Sequence, residues 1–249
     1  WRGPGERPTD HLQTAVQDAL EGSRLQPKDI DLLVYVGIAG GFREPGNSYM
    51  VAKSLGMHKA QCFDVIDACM SWTRALSLVN SLFKAGGYRN AMVVNAEFNM
   101  VEGIAGFPEN YAVRNLQEMN YLLPSYTIGE AATATLLLPD QPDNFSVAFR
   151  SRPDLADLCM IPTAGHEGYY QVNEAVAALG EGRFTARGTE LHDHLAAELP
   201  VLIGEAGAYP AQADVVFTHS SSMPAWTHVG REYGFAEKIF HIYPDTGNV

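Results

Sequence analysis

Two hydrophobic periods alternate along this chain. Continuous apolar runs at Ile30–Val36, Gln61–Ile66 and Ala91–Ala96 predict strands covered on both faces, and Thr133–Leu138 returns as a fourth. Between the runs, apolar residues recur every three or four positions, as on the buried stripe of a helix. Thr9-Asp10 can cap a helix running to about Ser23, with Leu12, Ala15, Val16, Ala19 and Leu20 inward. Ser48–Leu55 is a second helix, stopped by Gly56. Ser71–Ala85 is a third, with Ala75, Leu78, Val79, Leu82 and Phe83 on one face and Gly86-Gly87 at its end. Asn99–Pro124 is a long aromatic-rich insertion, a kind of segment that usually serves function.

Asp140–Asn144 is a polar break. Beyond it the pattern predicts a strand at Phe145–Arg152, an irregular stretch at Leu155–Gly182 and an amphipathic helix at Phe184–Ile203. A strand at Val215–Thr218, a helix at Pro224–Tyr233 and a last strand at Ile239–Tyr243 complete the chain. Strands and helices alternate on both sides of the break, so the class is α/β. The expected organisation is two similar halves, 1–140 and 141–249.

A chain of 249 residues holds one large domain or two fused halves. No apolar run approaches the length of a membrane span and no signal peptide is recognisable, so neither a membrane nor export is expected. Cys62, Cys69 and Cys159 lack C-x-x-C spacing, which points to a reducing compartment, the cytoplasm, and away from structural zinc. A formal charge of −12 excludes the basic face that nucleic acid needs. It also opposes an acidic carrier protein unless Arg43, Lys53, Lys59, Lys84 and Arg89 gather locally.

Chemistry concentrates where strands end, the usual place for sites in open α/β sheets. Cys69 follows the Gln61–Ile66 strand and opens the Ser71–Ala85 helix, where free N–H groups favour a thiolate. Its pKa is therefore expected below the ordinary ~8.5; the plain alternative is a buried small hydrophobe. His219 ends the Val215–Thr218 strand, and Asn248 lies in the terminal Thr246-Gly247-Asn248. His192 and His194 stand two apart on a helix and share no face, so they make a poor metal pair. Gly37-x-x-Gly40-Gly41 lacks the dinucleotide fingerprint and any P-loop lysine. Phe98, Phe107, Tyr111, Tyr121 and Tyr126 read as core or as the wall of a pocket.

Taken together, Asp67-Ala68-Cys69, Tyr126–Ala134, His219 and Gly247-Asn248 resemble, in order and spacing, the motifs of thiolase-superfamily condensing enzymes. The β-ketoacyl-acyl-carrier-protein synthase III group is the nearest in pattern. The resemblance implies a thiolase-like fold, two βαβαβαββ halves in a five-layer sandwich, normally a homodimer. It implies Claisen condensation in fatty-acid, polyketide or related lipid biosynthesis. Acyl-CoA or an acyl carrier protein would be substrate and partner, as phosphopantetheine thioesters, and no cofactor or metal would be bound.

Under this resemblance Cys69 takes the acyl group, while His219 and Asn248 hydrogen-bond the thioester oxygen of the second substrate. Ser220-Ser221-Ser222 departs from the family's Gln-Ala-Asn, and Glu130-Ala131 from its Asp-Gly. The family's opening strand and helix and its last strands are lacking, so the chain is expected to be part of a longer protein.

Phe42-Arg43-Glu44-Pro45 also resembles a loop of enzymes that join two acyl thioesters head to head without decarboxylation. There a glutamate enters the partner subunit's site as a base; Glu44 would be that residue, or else a solvated carboxylate. Acyl transfer to an alcohol or amine, and a scaffold subunit of a condensing heterodimer, remain alternatives from other classes.

Overall fold

The computed structural model describes residues 3, 5–38, 40–98, 112–139, 146–174, 178–206 and 209–249. The chain divides into two compact units, Trp1–Phe98 with Glu130–Phe145, and Asn99–Gly129 with Ser146–Val249. The break expected at Asp140–Asn144 lies outside the described residues, as do Phe107 and Tyr111.

The first unit is built on a four-stranded sheet in the order β2-β1-β3-β4. Its strands are β1 (Leu32–Gly37), β2 (Gln61–Ile66), β3 (Ala91–Glu97) and β4 (Ala131–Leu137). β1 runs parallel to β2 and β3, and β4 returns antiparallel along β3. Alternate side chains leave opposite faces of a strand, and each face has its own core. Leu33, Tyr35, Met92 and Val94 pack with Leu12, Val16 and Leu20 of α1 (Pro8–Leu20) and Val51 and Ala52 of α2 (Asn47–Leu55). Leu32, Val34, Val36, Ala91 and Val93 pack with Ala75 and Val79 of α3 (Ser71–Lys84). Fully burying each such Leu or Val contributes roughly 1.5–3 kcal/mol. β1, in the centre, is buried along its whole length.

β2 departs from expectation. It stands at the edge of the described sheet, with Gln61 and Ile66 exposed rather than covered on both faces. Its apolar residues are split between the two cores, Cys62 to one and Phe63 and Val65 to the other, while Asp64 interrupts the run.

The second unit holds α4 (Leu116–Leu122), α5 (Gly188–Ala206), α6 (Met223–Glu232) and α7 (Tyr243–Thr246). A two-stranded antiparallel ribbon joins β5 (Cys159–Met160) and β6 (Thr185–Ala186). That ribbon delays α5, expected from Phe184: the Phe184 carbonyl accepts the Ser125 hydroxyl and Thr185-Ala186 is buried as strand. The strands expected at Val215–Thr218 and Ile239–Tyr243 reduce to one parallel bridge, Val216 to Ile239. Val215 and Phe217 flank it exposed, so the apolar run finds no second neighbour among the described residues. Residues 146–152 form no strand.

Candidate active site

In the first unit the chain leaves β2 at Ile66 and makes a tight 3-10 turn over Ala68–Met70 before α3 begins. Ala68 has φ +46°, in the left-handed region that L-residues rarely enter. Asp67 accepts the Met70 N–H at 3.0 Å through its carbonyl, and its carboxylate takes the Arg74 guanidinium at 2.6 Å. Cys69 is presented on this turn as an exposed free thiol.

Its acidity differs from the sequence expectation. Enough protein surrounds the sulfur, despite the exposure of the residue, that burial pushes the thiol up, and the Glu97 charge adds to this. The backbone N–H of Cys69 works in the opposite direction and loses. Cys69 lies in the 3-10 turn one residue ahead of the Met70 N-cap of α3, and burial there outweighs what favours the thiolate.

Glu97 was not singled out from the sequence. It ends β3 and accepts the Ile38 N–H at 2.7 Å, tying the exit of β1 to that of β3. A Cβ at Gly37 would meet the end of its carboxylate, which would have to move aside. The neighbouring Asn95 donates to the Val36 carbonyl at 2.8 Å. A carboxylate at the C-terminal end of a central strand was the available signal.

Glu44 is exposed on the loop between β1 and α2. Two residues anchor that loop. The Asn47 amide oxygen accepts the Phe42 N–H at 3.3 Å, and Asp64 of β2 accepts the N–H groups of Asn47 and Ser48, the first two residues of α2, at 2.7 and 2.9 Å. Asn47 and Ser48 are buried. Glycine after the loop and a polar pair opening a helix were the signals for this anchor.

Of the cations named from sequence, Lys59 and Arg89 do come together, with Lys28, around a cleft of about 400 Å³. Arg89 is committed to Asp31 through two hydrogen bonds at 3.0 Å. The cleft lies where the strands start, the end of the sheet opposite Cys69.

In the second unit His219 borders a cleft of about 10 Å³, shared with Trp226, Phe240 and Tyr243, with room for about one water. Although part of the residue is exposed, burial lowers the pKa of its ring and favours neutral imidazole. Ser222, one of the three serines departing from the family pattern, caps α6: its hydroxyl accepts the Ala225 N–H at 3.3 Å. Asn248 is held through its backbone. Its N–H donates to the Thr127 carbonyl and its carbonyl accepts the Gly129 N–H, both at 2.8 Å. Gly247 takes φ +73°, and a Cβ on Gly129 would strike the Thr246 carbonyl oxygen. The Thr127–Gly129 turn is thus the mould for the Gly247-Asn248 segment, which explains the glycines in both.

Among the described residues no group of acidic, histidine or cysteine side chains could hold a metal ion, and no helix is long and apolar enough to cross a membrane. Cys69 and Glu44 belong to the first unit; His219 and Asn248 belong to the second.

No family model matches the chain. A beta-ketoacyl-[acyl-carrier-protein] synthase III from Desulfitobacterium hafniense is 34% identical over 94 residues, covering 37% of this chain and 28% of that protein. The protein of the same name from Clostridium beijerinckii is 32% identical over 93 residues, covering 37% of this chain and 29% of its own. The chain therefore matches less than a third of the length of these relatives. Among solved structures, Xanthomonas campestris OleA superimposes with a TM-score of 0.79 at 19% identity, covering 100% of this chain and 71% of that one. The 3-oxoacyl-[acyl-carrier-protein] synthase III of Aquifex aeolicus gives 0.76 at 18% identity, covering 99% and 72%. The fold is thus the thiolase-like α/β fold of these proteins.

Proposed function

We propose that this chain acts as an acyl-thioester condensing enzyme, forming a C–C bond by Claisen chemistry through an acyl group carried on Cys69. The observation that carries this is the turn after β2, which presents a free thiol at the start of α3 in a thiolase-like fold. In the first half-reaction the Cys69 sulfur, having lost its proton, attacks the carbonyl of an acyl thioester, and the CoA or pantetheine thiol leaves. In the second, an enolate of the other thioester attacks the Cys69-bound carbonyl, and the released β-ketoacyl thioester frees the sulfur. Acyl-CoA is the expected donor; a structure of OleA holds lauric acid and lauroyl-CoA.

His219 and Asn248 are the proposed donors to the enolate oxygen. One such donor is worth roughly 3–4 kcal/mol of barrier, and a neutral imidazole N–H serves the purpose without adding a proton to the carbanion. Loss of CO₂ from a malonyl thioester generates the enolate in the main reading. A second reading takes Glu44 as the base that removes an α-proton, and the likeness to OleA together with the anchored loop favours carrying it. A homodimer and a cytoplasmic setting complete the proposal, the latter supported by three free cysteines.

Intact-mass and peptide spectrometry after incubation with lauroyl-CoA tests the proposal. A lauroyl adduct on the Cys69 peptide, absent from Cys69→Ala, is the expected result. An adduct that persists in Cys69→Ala overturns it.

A further inference from the structure

Two residues past the thiol, Ser71 is 2% exposed and its hydroxyl is shared among three backbone groups. The Oγ accepts the Asp67 N–H at 2.8 Å. Its one hydrogen has two carbonyl acceptors, Gly37 at 2.8 Å, where β1 ends, and Ala68 at 2.7 Å. Asp67 and Ala68 are the residues that lead from β2 into the thiol. Ala68 holds a left-handed φ of +46° without being glycine. Such a conformation persists only where the surroundings over-determine it. The Ser71 hydroxyl supplies that determination: it fixes the peptides on both sides of the Asp67–Ala68 link and ties them to the neighbouring strand. The backbone bond from Met70 N–H to the Asp67 carbonyl closes the turn but does not reach β1.

We propose that Ser71 is the positioning residue of the nucleophile turn, holding Cys69 in its reactive placement by clamping Asp67 and Ala68 to the end of β1. The proposal rests on the reading of Cys69 as the acylated residue. Ser71 itself touches no reacting atom; it acts through the turn. A helix-opening serine with only a structural role would bond to its own helix, whereas this one reaches 34 positions back to Gly37.

The test uses the full chain as wild type, Ser71→Ala, Ser71→Thr and Val79→Ala, the last removing volume from the buried face of α3 away from the turn. Lauroyl transfer from lauroyl-CoA and the pH profile of iodoacetamide alkylation are both read at the Cys69 peptide, with melting temperature measured alongside. Ser71→Ala should slow lauroylation ~100-fold, the usual penalty for a misplacement of about 1 Å. It should also shift the alkylation profile, while Ser71→Thr, which keeps the hydroxyl, recovers both. Val79→Ala should melt earlier yet keep wild-type rates at Cys69. Should Ser71→Ala not fold, Ser71→Gly removes the same hydroxyl and takes its place. Wild-type lauroylation and alkylation in the variant lacking the hydroxyl overturn the proposal, as does a loss no larger than in Val79→Ala. If the wild type takes no lauroyl group at all, the acyl-enzyme reading fails, and the alkylation profiles alone still decide the role of Ser71.

Discussion

Asp64 and Asn47 are joined twice: one carboxylate oxygen of Asp64 accepts the Asn47 backbone N–H at 2.7 Å and its side-chain amide at 3.1 Å. The second oxygen takes the Ser48 N–H at 2.9 Å. The open N–H groups at the start of a helix need acceptors, and an anion there also meets the favourable end of the dipole. The carboxylate therefore docks α2 on β2 and fixes the exit of the Glu44 loop.

Replacing Asp64 by Asn keeps the shape but puts an amide donor where an acceptor is needed. The expected cost is about 1–3 kcal/mol, the desolvation penalty of a buried N–H left unpaired. Urea unfolding of Asp64→Asn against wild type measures it; an unchanged midpoint would show that the helix start is satisfied by other means.

The acidity of Cys69 gives a second prediction. Burial and the Glu97 charge raise its thiol, so alkylation by iodoacetamide should still accelerate above about pH 8.5, where an ordinary thiol has already half ionised. Glu97→Gln removes the charge while leaving an oxygen for the Ile38 N–H, and should move the profile to lower pH. A profile levelling off near neutrality in wild type would contradict this electrostatic account.

His219 leads to a pH dependence of stability with a definite sign. Burial lowers its pKa in the folded chain below the unperturbed 6.5, so the unfolded chain binds the extra proton first. The stability that the neutral ring contributes is present above pH 6.5 and is lost as pH falls through the folded pKa. Wild type should therefore lose more stability between about pH 6.5 and 5 than His219→Gln, which has no proton to gain. Denaturant midpoints at a series of pH values provide the comparison, and parallel curves would refute it.

Glu44 separates the two modes of condensation. With lauroyl-CoA as sole substrate, a β-keto product demands a base, since no CO₂ is available to leave. Glu44→Gln should then cut product formation by about 100-fold or more, the range for a positioned general base. Lauroylation of Cys69 should be untouched. Product formed only when a malonyl thioester is supplied, and undiminished by the substitution, would assign the chain to the decarboxylating mode.

The first unit was legible because its elements announce themselves locally. The predicted Gln61–Ile66 matches β2, and the helix expected at Ser71–Ala85 ends one residue earlier, at Lys84. Ile30–Val36 shifted into β1 by two residues at its start, since Ile30 is core but caps a 3-10 turn instead of pairing. An unbroken apolar run buried in the middle of a sheet, or a stripe over four turns, is a property of consecutive residues. Cys69, His219 and Asn248 were singled out for the same reason, each lying next to a local motif, and their shared role remains the proposal made above.

What the tertiary structure decided were matters of partner. Whether an apolar run has strands on both sides is invisible within the run: among the described residues, Gln61–Ile66 became an edge and Val215–Thr218 kept a single bridge. The direction of the Cys69 shift depends first on how much protein surrounds the sulfur, which outweighs the pull of its own backbone N–H, and then on the charge of Glu97, 28 positions away. Asp64 finds its partners 16 and 17 residues back, Glu97 reaches 59 residues to Ile38, and Ser71 reaches 34 to Gly37. Periodicity reports which face of an element is apolar. It carries no record of which distant backbone N–H or carbonyl a buried polar side chain must satisfy, and folding settles that because leaving such a group unpaired in the interior costs more than the bond is worth.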